Sequence, residues 1–132
     1  MKIDQAVILA GGRGERLRPV TDKIPKPMVP VNGVPFLDYL INSVVEAGIE
    51  KILVLVGYKS DVIIDHYRDM RHIDVEFSTG TLMDQTGRRL LDAYHQLDPQ
   101  FLLMYGDNYW SMELSRMRSR FESSDAQIST TV

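Results

Sequence analysis

Cysteine is absent from the 132 residues. Its absence excludes a disulfide framework, a thiolate nucleophile and any zinc site built on thiolates. Long apolar runs are missing as well. The longest, 6–10 (AVILA) and 52–56 (ILVLV), fall far short of the roughly 20 residues that cross a bilayer, so no membrane association is expected. An excess of positive charge is also lacking, with 15 Lys and Arg against 18 Asp and Glu and a formal net charge of −3. That balance speaks against a general nucleic-acid partner, although it leaves room for local basic patches. No basic n-region followed by an apolar h-region opens the sequence, so a cytoplasmic location is expected. No internal repeat or low-complexity tract interrupts it. What remains is 44% apolar and 25% charged residues, the balance of one ordinary globular domain with a single core.

The hydrophobic pattern alternates between two periods. Residues 6–10 form an apolar run that stops at Gly11-Gly12 and reads as a buried strand of a parallel sheet. Residues 11–34 hold no sustained period and read as a long loop, a feature often functional in a small domain. From Pro35, apolar residues at Phe36, Leu37, Leu40, Ile41, Val44 and Val45 have helical spacing, with Gly48 suited to the C-terminal cap. Residues 51–56 read as a strand, 61–70 as a helix and 73–77 as a strand. Residues 87–97 read as a helix, 101–105 as a strand, 113–121 as a polar helix and 126–132 as a last strand. This alternation predicts an α/β fold, a Rossmann-like, mainly parallel sheet with helices on both faces.

The segment Leu9-Ala10-Gly11-Gly12-Arg13-Gly14-Glu15-Arg16-Leu17-Arg18-Pro19 is the most informative. Glycines directly after a buried strand permit positive φ and let successive N–H groups face an anion. In open α/β sheets, ligands bind beyond the carboxyl ends of the strands, where this loop must lie. No Gly-Lys-Ser/Thr follows, so this is not a Walker A loop. Leu17 stands where the third glycine of GxGxxG belongs, so the dinucleotide fingerprint fails too. A tight turn needs glycine equally, so the accompanying charge decides. Arg13, Arg16, Arg18, Lys23 and Lys26 share their stretch with only Glu15 and Asp22 as acids, which points to phosphate. Lys26 lies between Pro25 and Pro27, which restrict its backbone. It suits a point charge on a phosphoryl oxygen, and Arg16 suits a bidentate contact.

Residues 11–31, GGRGERLRPVTDKIPKPMVPV, match GGxGxRLxPxTxxxPKPMxPV, and the chain thereby resembles the sugar-1-phosphate nucleotidylyltransferases. PFLDYLI, GYKSDVI and FLLMYGDN extend the likeness over essentially the whole chain, while Glu15 stands where many members have threonine or serine. The resemblance implies a nucleotide-diphospho-sugar transferase fold. It implies a nucleoside triphosphate and a sugar 1-phosphate as partners and Mg2+ as cofactor. Nucleotide contacts are implied at Leu9, Ala10, Gly11, Gly12, Gly14, Arg16, Lys26 and Gly87, and catalytic roles for Arg16, Lys26 and Asp107.

Asp107 closes the strand FLLMYG, and a lone carboxylate there suits either a turn or one contact to magnesium; the family likeness favours the metal. Thr86 and Gly87 match the family's TGG segment near the base, but Arg88 replaces a small residue and Gln85 a common glycine. The pattern through Arg89 and Leu90 is similar to glucose-1-phosphate cytidylyl- and thymidylyltransferases, and LAGG…PKPM…VGYK to heptose-1-phosphate guanylyltransferases, so the base stays open. Tyr109 and Trp110 suit either a sugar site or packing. His66, His72 and His95 lack metal-ligand spacing, the seven methionines read as core packing, and Arg116, Arg118 and Arg120 as a solvated face.

The implied reaction transfers a nucleoside monophosphate to a sugar 1-phosphate, giving an NDP-sugar for polysaccharide precursor synthesis. Family domains are considerably longer, so residues 1–132 are expected to be the nucleotide-binding part of one nucleotidyltransferase domain, apparently truncated. The sugar-binding part and a second metal-binding aspartate have no counterpart here. A sheet cut at that point has an unpaired edge, which invites a homo-oligomer. The alternatives are an inactive nucleotide-binding module and an assembly or regulatory subunit of the same fold.

Overall fold

A computed structural model describes residues 2–109 and 113–130. Its central sheet is built from β1 (Gln5–Ala10), β4 (Lys51–Val56), β5 (Asp74–Thr79) and β6 (Leu102–Tyr105), in the order β5-β4-β1-β6. All three pairings are parallel, with Ile8 opposite both Val54 and Met104. β1 and β4 occupy the middle, which is why their sequences are near-continuous apolar runs: both faces of each strand are covered. The sheet expected from the hydrophobic pattern is therefore present, and it is parallel throughout.

Side-chain alternation divides the core in two. Ala6, Ile8, Ala10, Ile52, Val54 and Val56 face one layer, formed by helices α1 (Phe36–Glu46), α2 (Ser60–Tyr67) and α4 (Leu114–Glu122). Val7, Leu53 and Leu55 face the other, where α3 (Thr86–Asp92) and the turn after it contribute Leu90 and Ala93. Helices thus lie on both faces, as the alternating pattern implies. α1 buries Leu37, Leu40, Ile41 and Val44, one stripe at i, i+3, i+4 and i+7. It ends where Gly48 adopts φ 77° and donates its N–H to Val45. Truncating a fully buried residue such as Leu40 or Leu53 to alanine costs about 2–5 kcal/mol.

Some expectations need correction. Residues 11–34 are not featureless: they hold 3-10 turns at Glu15–Leu17, Val20–Asp22 and Lys26–Met28 and a short hairpin of β2 (Pro30–Val31) and β3 (Val34–Pro35). Short turns carry no long hydrophobic period, so they leave no trace in such a pattern. Residues 126–130 form no strand, and 131–132 lie outside the described residues. Alternating apolar residues mark a strand only where a neighbouring edge accepts it. Met83 is 82% exposed and so is no part of the core, unlike Met28. Among the described residues, no helix is long and apolar enough to cross a membrane.

On the α1–α2 face, Tyr67 donates its hydroxyl to Asp38, which also contacts His66 Nε2 at 3.0 Å. Burial, then the Asp38 carboxylate, pushes the Tyr67 hydroxyl far above its usual range. His66 is thereby held against the α1 side of the core. Arg118, expected to be solvated, instead donates to the Gly48 carbonyl at the end of α1.

Candidate functional site

The chain runs outward from β1 to β4 and β5, then returns past β1 to β6. That reversal puts a topological switch point between β1 and β6, where parallel sheets open a crevice at their carboxyl ends. On that rim every parallel strand is followed at once by a glycine: Gly11, Gly57, Gly80 and Gly106. Gly106 donates its N–H to the Leu9 carbonyl at 2.8 Å, and a Cβ there would stand 2.7 Å from the same oxygen. Only glycine permits this approach. It brings the next residue, Asp107, beside the loop that leaves β1.

That loop turns sharply. Gly14 sits at φ 62°, ψ 38°, with its hydrogen-lined face against the Lys26 stem and the Thr21 methyl. A Cβ at Gly14 would stand 2.8 Å from Lys26 Cβ. The Thr21 hydroxyl donates to the Gly14 carbonyl, and the Tyr58 hydroxyl to the Thr21 carbonyl. The loop is thereby tied down through its carbonyls. Its N–H groups are left over: among the described residues, those of Gly12, Arg13, Gly14, Glu15 and Arg16 donate no hydrogen bond. Free N–H groups in succession, at the end of a parallel strand, form a cradle for an anion.

The basic side chains differ in how they are held. Lys26 is half-buried between the buried Pro25 and Pro27, and its Nζ lies 2.8 Å from Asp107 Oδ2. Arg18 pairs with Asp22, which raises its guanidinium pKa, and Arg13 stands 3.8 Å from Glu15. Arg16 is exposed and forms no ion pair among the described residues. Of the residues named from the sequence, Leu9, Ala10, Gly11, Gly12, Gly14, Lys26 and Asp107 meet at this one rim, with Arg16 on the same loop. Gly87 lies apart from the loop in sequence, in the first turn of α3, with nothing within 4 Å of where its Cβ would be. Tyr109 is 56% exposed, and Trp110 lies outside the described residues.

Sequence reasoning missed Arg89. It is only 7% exposed, and its guanidinium fills the space left by three of the four rim glycines. A Cβ would stand 2.3 Å from it at Gly11, 2.5 Å at Gly57 and 2.9 Å at Gly80. Asp84 lies alongside, accepting the Thr81 N–H at 2.6 Å. That bond, the Thr81 hydroxyl and the charges of Arg89 and Arg88 hold its carboxyl below the usual range. The signal was present in the sequence as a glycine after each strand, but it becomes meaningful only once the strands are known to be parallel.

A divalent cation can be tested against these donors. Among the described residues, no three His, Cys, Asp or Glu side chains cluster as a self-sufficient metal cage. At the switch point, beside Lys26, stands the Asp107 carboxylate. This fits magnesium, which is held by one or two carboxylates and takes its other ligands from phosphate and water. An apolar groove between β6 and α4, lined by Leu102, Met104, Leu114 and Phe121, lies elsewhere and has no carboxylate in its lining.

The chain as a whole is similar to known proteins. The UTP–glucose-1-phosphate uridylyltransferase AglF of Haloferax volcanii is 39% identical over 125 residues, covering 92% of this chain and 51% of that protein. The D-glycero-alpha-D-manno-heptose 1-phosphate guanylyltransferase of Campylobacter jejuni is 30% identical over 115 residues, covering 86% and 52%. The crystal structure of HddC from Yersinia pseudotuberculosis complexed with GMP-PN superposes with a TM-score of 0.78 at 31% identity, covering 93% of this chain and 56% of that one. The chain therefore spans about half the length of these relatives. The family model described as nucleotidyl transferase matches residues 5–132, which takes in the glycine loop, Lys26 and Asp107 together, and the chain belongs to that family.

Proposed function

We propose that the chain is the nucleotide-binding part of a sugar-1-phosphate nucleotidylyltransferase. The observation that carries this reading is the convergence, at one switch point, of a loop with free N–H groups and the Lys26–Asp107 pair. The similarity to a uridylyl- and a guanylyltransferase of sugar 1-phosphates supports the same class of substrates.

In the reaction, a phosphate oxygen of the sugar 1-phosphate attacks the α-phosphorus of a nucleoside triphosphate. The bond from that phosphorus to the bridging oxygen breaks, and pyrophosphate leaves with the electron pair. A phosphate monoester has its second pKa near 6, so the nucleophile is already ionised at neutral pH and needs no general base. Catalysis then reduces to in-line positioning and charge neutralisation. The N–H groups of residues 12–16 hold the triphosphate. Arg16, which pairs with no carboxylate among the described residues, holds the departing pyrophosphate. Lys26 neutralises charge developing on the α-phosphoryl oxygens. Asp107 is the residue to hold Mg2+, which supplies charge neutralisation to the phosphates. In the free protein Lys26 and Asp107 neutralise each other, so neither charge is left unpaired on the rim. The product is an activated sugar of the kind that polysaccharide assembly consumes.

Pyrophosphate release tests this reading. The purified chain receives magnesium, one of the ribonucleoside triphosphates or dTTP, and glucose or manno-heptose 1-phosphate. Release that requires both substrates and disappears in Lys26→Ala supports it and identifies the base. A folded chain that binds nucleotide without release is a binding part only. One that binds no nucleotide refutes the reading.

A further inference from the structure

The buried Arg89 has no role in the reaction as described, yet it lies directly behind the glycine loop. Its Nε donates to the Asp84 carbonyl at 3.1 Å and its Nη1 to Val56 at 3.0 Å. Its Nη2 donates to Gly11 at 3.1 Å and to Thr81 at 2.9 Å. Four of the five guanidinium donors are thus spent on backbone carbonyls at or just beyond the ends of β1, β4 and β5. No carboxylate among the described residues lies within ion-pair distance. Asp84 lies alongside without pairing with it, so the buried cation is hydrogen-bonded only to carbonyls, and its burial costs desolvation that a neutral side chain would avoid. A purely apolar plug would fill the same space, so the donors themselves must matter.

The Gly11 carbonyl shows how. It accepts from Arg89 Nη2 and from the Tyr58 N–H at 3.3 Å, so the plane of the Gly11–Gly12 peptide is fixed from behind. Across a trans peptide the next N–H points opposite to the carbonyl. The Gly12 N–H is therefore aimed away from the guanidinium, and Gly12 itself has nothing within 4 Å of its Cβ position. We propose that Arg89 is a positioning residue for nucleotide binding, which locks the Gly11–Gly12 peptide so that the first N–H of the cradle faces the triphosphate. Its buried charge adds positive potential beneath the same loop. This inference rests on the nucleotide-binding reading above.

The test compares the wild-type chain, Arg89→Ala and Arg89→Lys in titrations with magnesium and the nucleotide that binds best, followed by calorimetry and by the Gly12 amide resonance. Folded Arg89→Ala is expected to bind about tenfold or more weakly, because small misplacements of a positioned group carry losses of that size. Millimolar guanidinium should restore much of the binding and the Gly12 resonance shift, whereas ammonium at equal ionic strength should not. Arg89→Lys keeps the charge without the planar fork and should bind with intermediate affinity. If Arg89→Ala fails to fold, the lysine variant decides, and wild-type affinity there overturns the proposal. The wild-type chain also decides without any variant: Arg89 Hε must exchange slowly, and the Gly12 amide must move on adding nucleotide. Free exchange, or a fixed amide in a chain that binds, overturns the proposal. Wild-type chain that binds no nucleotide refutes the functional reading instead. Wild-type chain that binds, beside folded Arg89→Ala that binds equally, refutes only the role of Arg89.

Discussion

Gly11 and Gly12 are neighbours in sequence with opposite surroundings. Behind Gly11 the guanidinium of Arg89 fills the space where a side chain would go, and the carbonyl is held by two donors. In front of Gly12 there is open space, and the N–H groups from there to Arg16 have no partner among the described residues. The rear of the loop is thus built as a protein interior is, with packed contacts and satisfied polar groups. The front keeps unsatisfied donors at the surface. Such donors can meet a ligand without reorganising only because the rear is fixed, which is the physical content of preorganisation.

Four substitutions sharpen this contrast, in order of falling effect. Lys26→Ala removes a front-side charge and is expected to lower turnover by about 100-fold or more, the scale of losing one electrostatic stabiliser of a transition state. Its unfolding free energy should change by less than about 1 kcal/mol, because the ion pair with Asp107 is largely solvated. Pyrophosphate release and urea unfolding measured on the same preparation separate the two effects.

Gly11→Ala attacks the rear. Its Cβ meets the guanidinium at 2.3 Å, so Arg89 must move and leave carbonyls unpaired, at a cost of about 2–3 kcal/mol in urea unfolding. Asp84→Asn tests the same side through pH. The folded-state pKa of Asp84 is lowered, first by the Thr81 N–H, so its contribution is present at neutral pH. That contribution is lost as pH falls below the ordinary aspartate range near 4. Unfolding of the asparagine variant followed between neutral and acid pH should show a flatter acid limb than wild type. Gly12→Ala should leave stability within about 0.5 kcal/mol, since its Cβ enters open space. An equal loss of stability at Gly11 and Gly12 would break the comparison.

The sequence made the front of the site more legible than the rear. Glycines after an apolar run, a basic excess and a proline-flanked lysine are local patterns, and they led to Gly11, Gly12, Gly14, Arg16 and Lys26. Asp107 was named because a strand end is also a local feature, although only the family likeness favoured a metal contact over a turn there. Strands β1 and β4 and helix α1 were legible for the same reason, as their periods reflect burial. Arg89 was not, because its partners Val56 and Gly11 lie 33 and 78 residues away. Nothing near Arg89 in sequence reveals that three strand-end glycines converge on it. The 3-10 turns of the loop escaped because they are too short to carry a period. The strand expected at 126–132 failed over 126–130 because alternation describes a face and does not supply a partner strand.

The central claim is that the front of the loop is a nucleotide cradle, and the backbone amides of residues 12–16 report on it directly. With magnesium present, each nucleoside triphosphate is added in turn to the folded wild-type chain and those resonances are followed. The expected result is a saturable shift of the Gly12-to-Arg16 amides with at least one nucleotide, while the amides of Gln5 and Lys51, at the opposite ends of β1 and β4, stay still. Loop amides that remain fixed with every nucleotide, in a chain whose other resonances show it to be folded, would contradict the account.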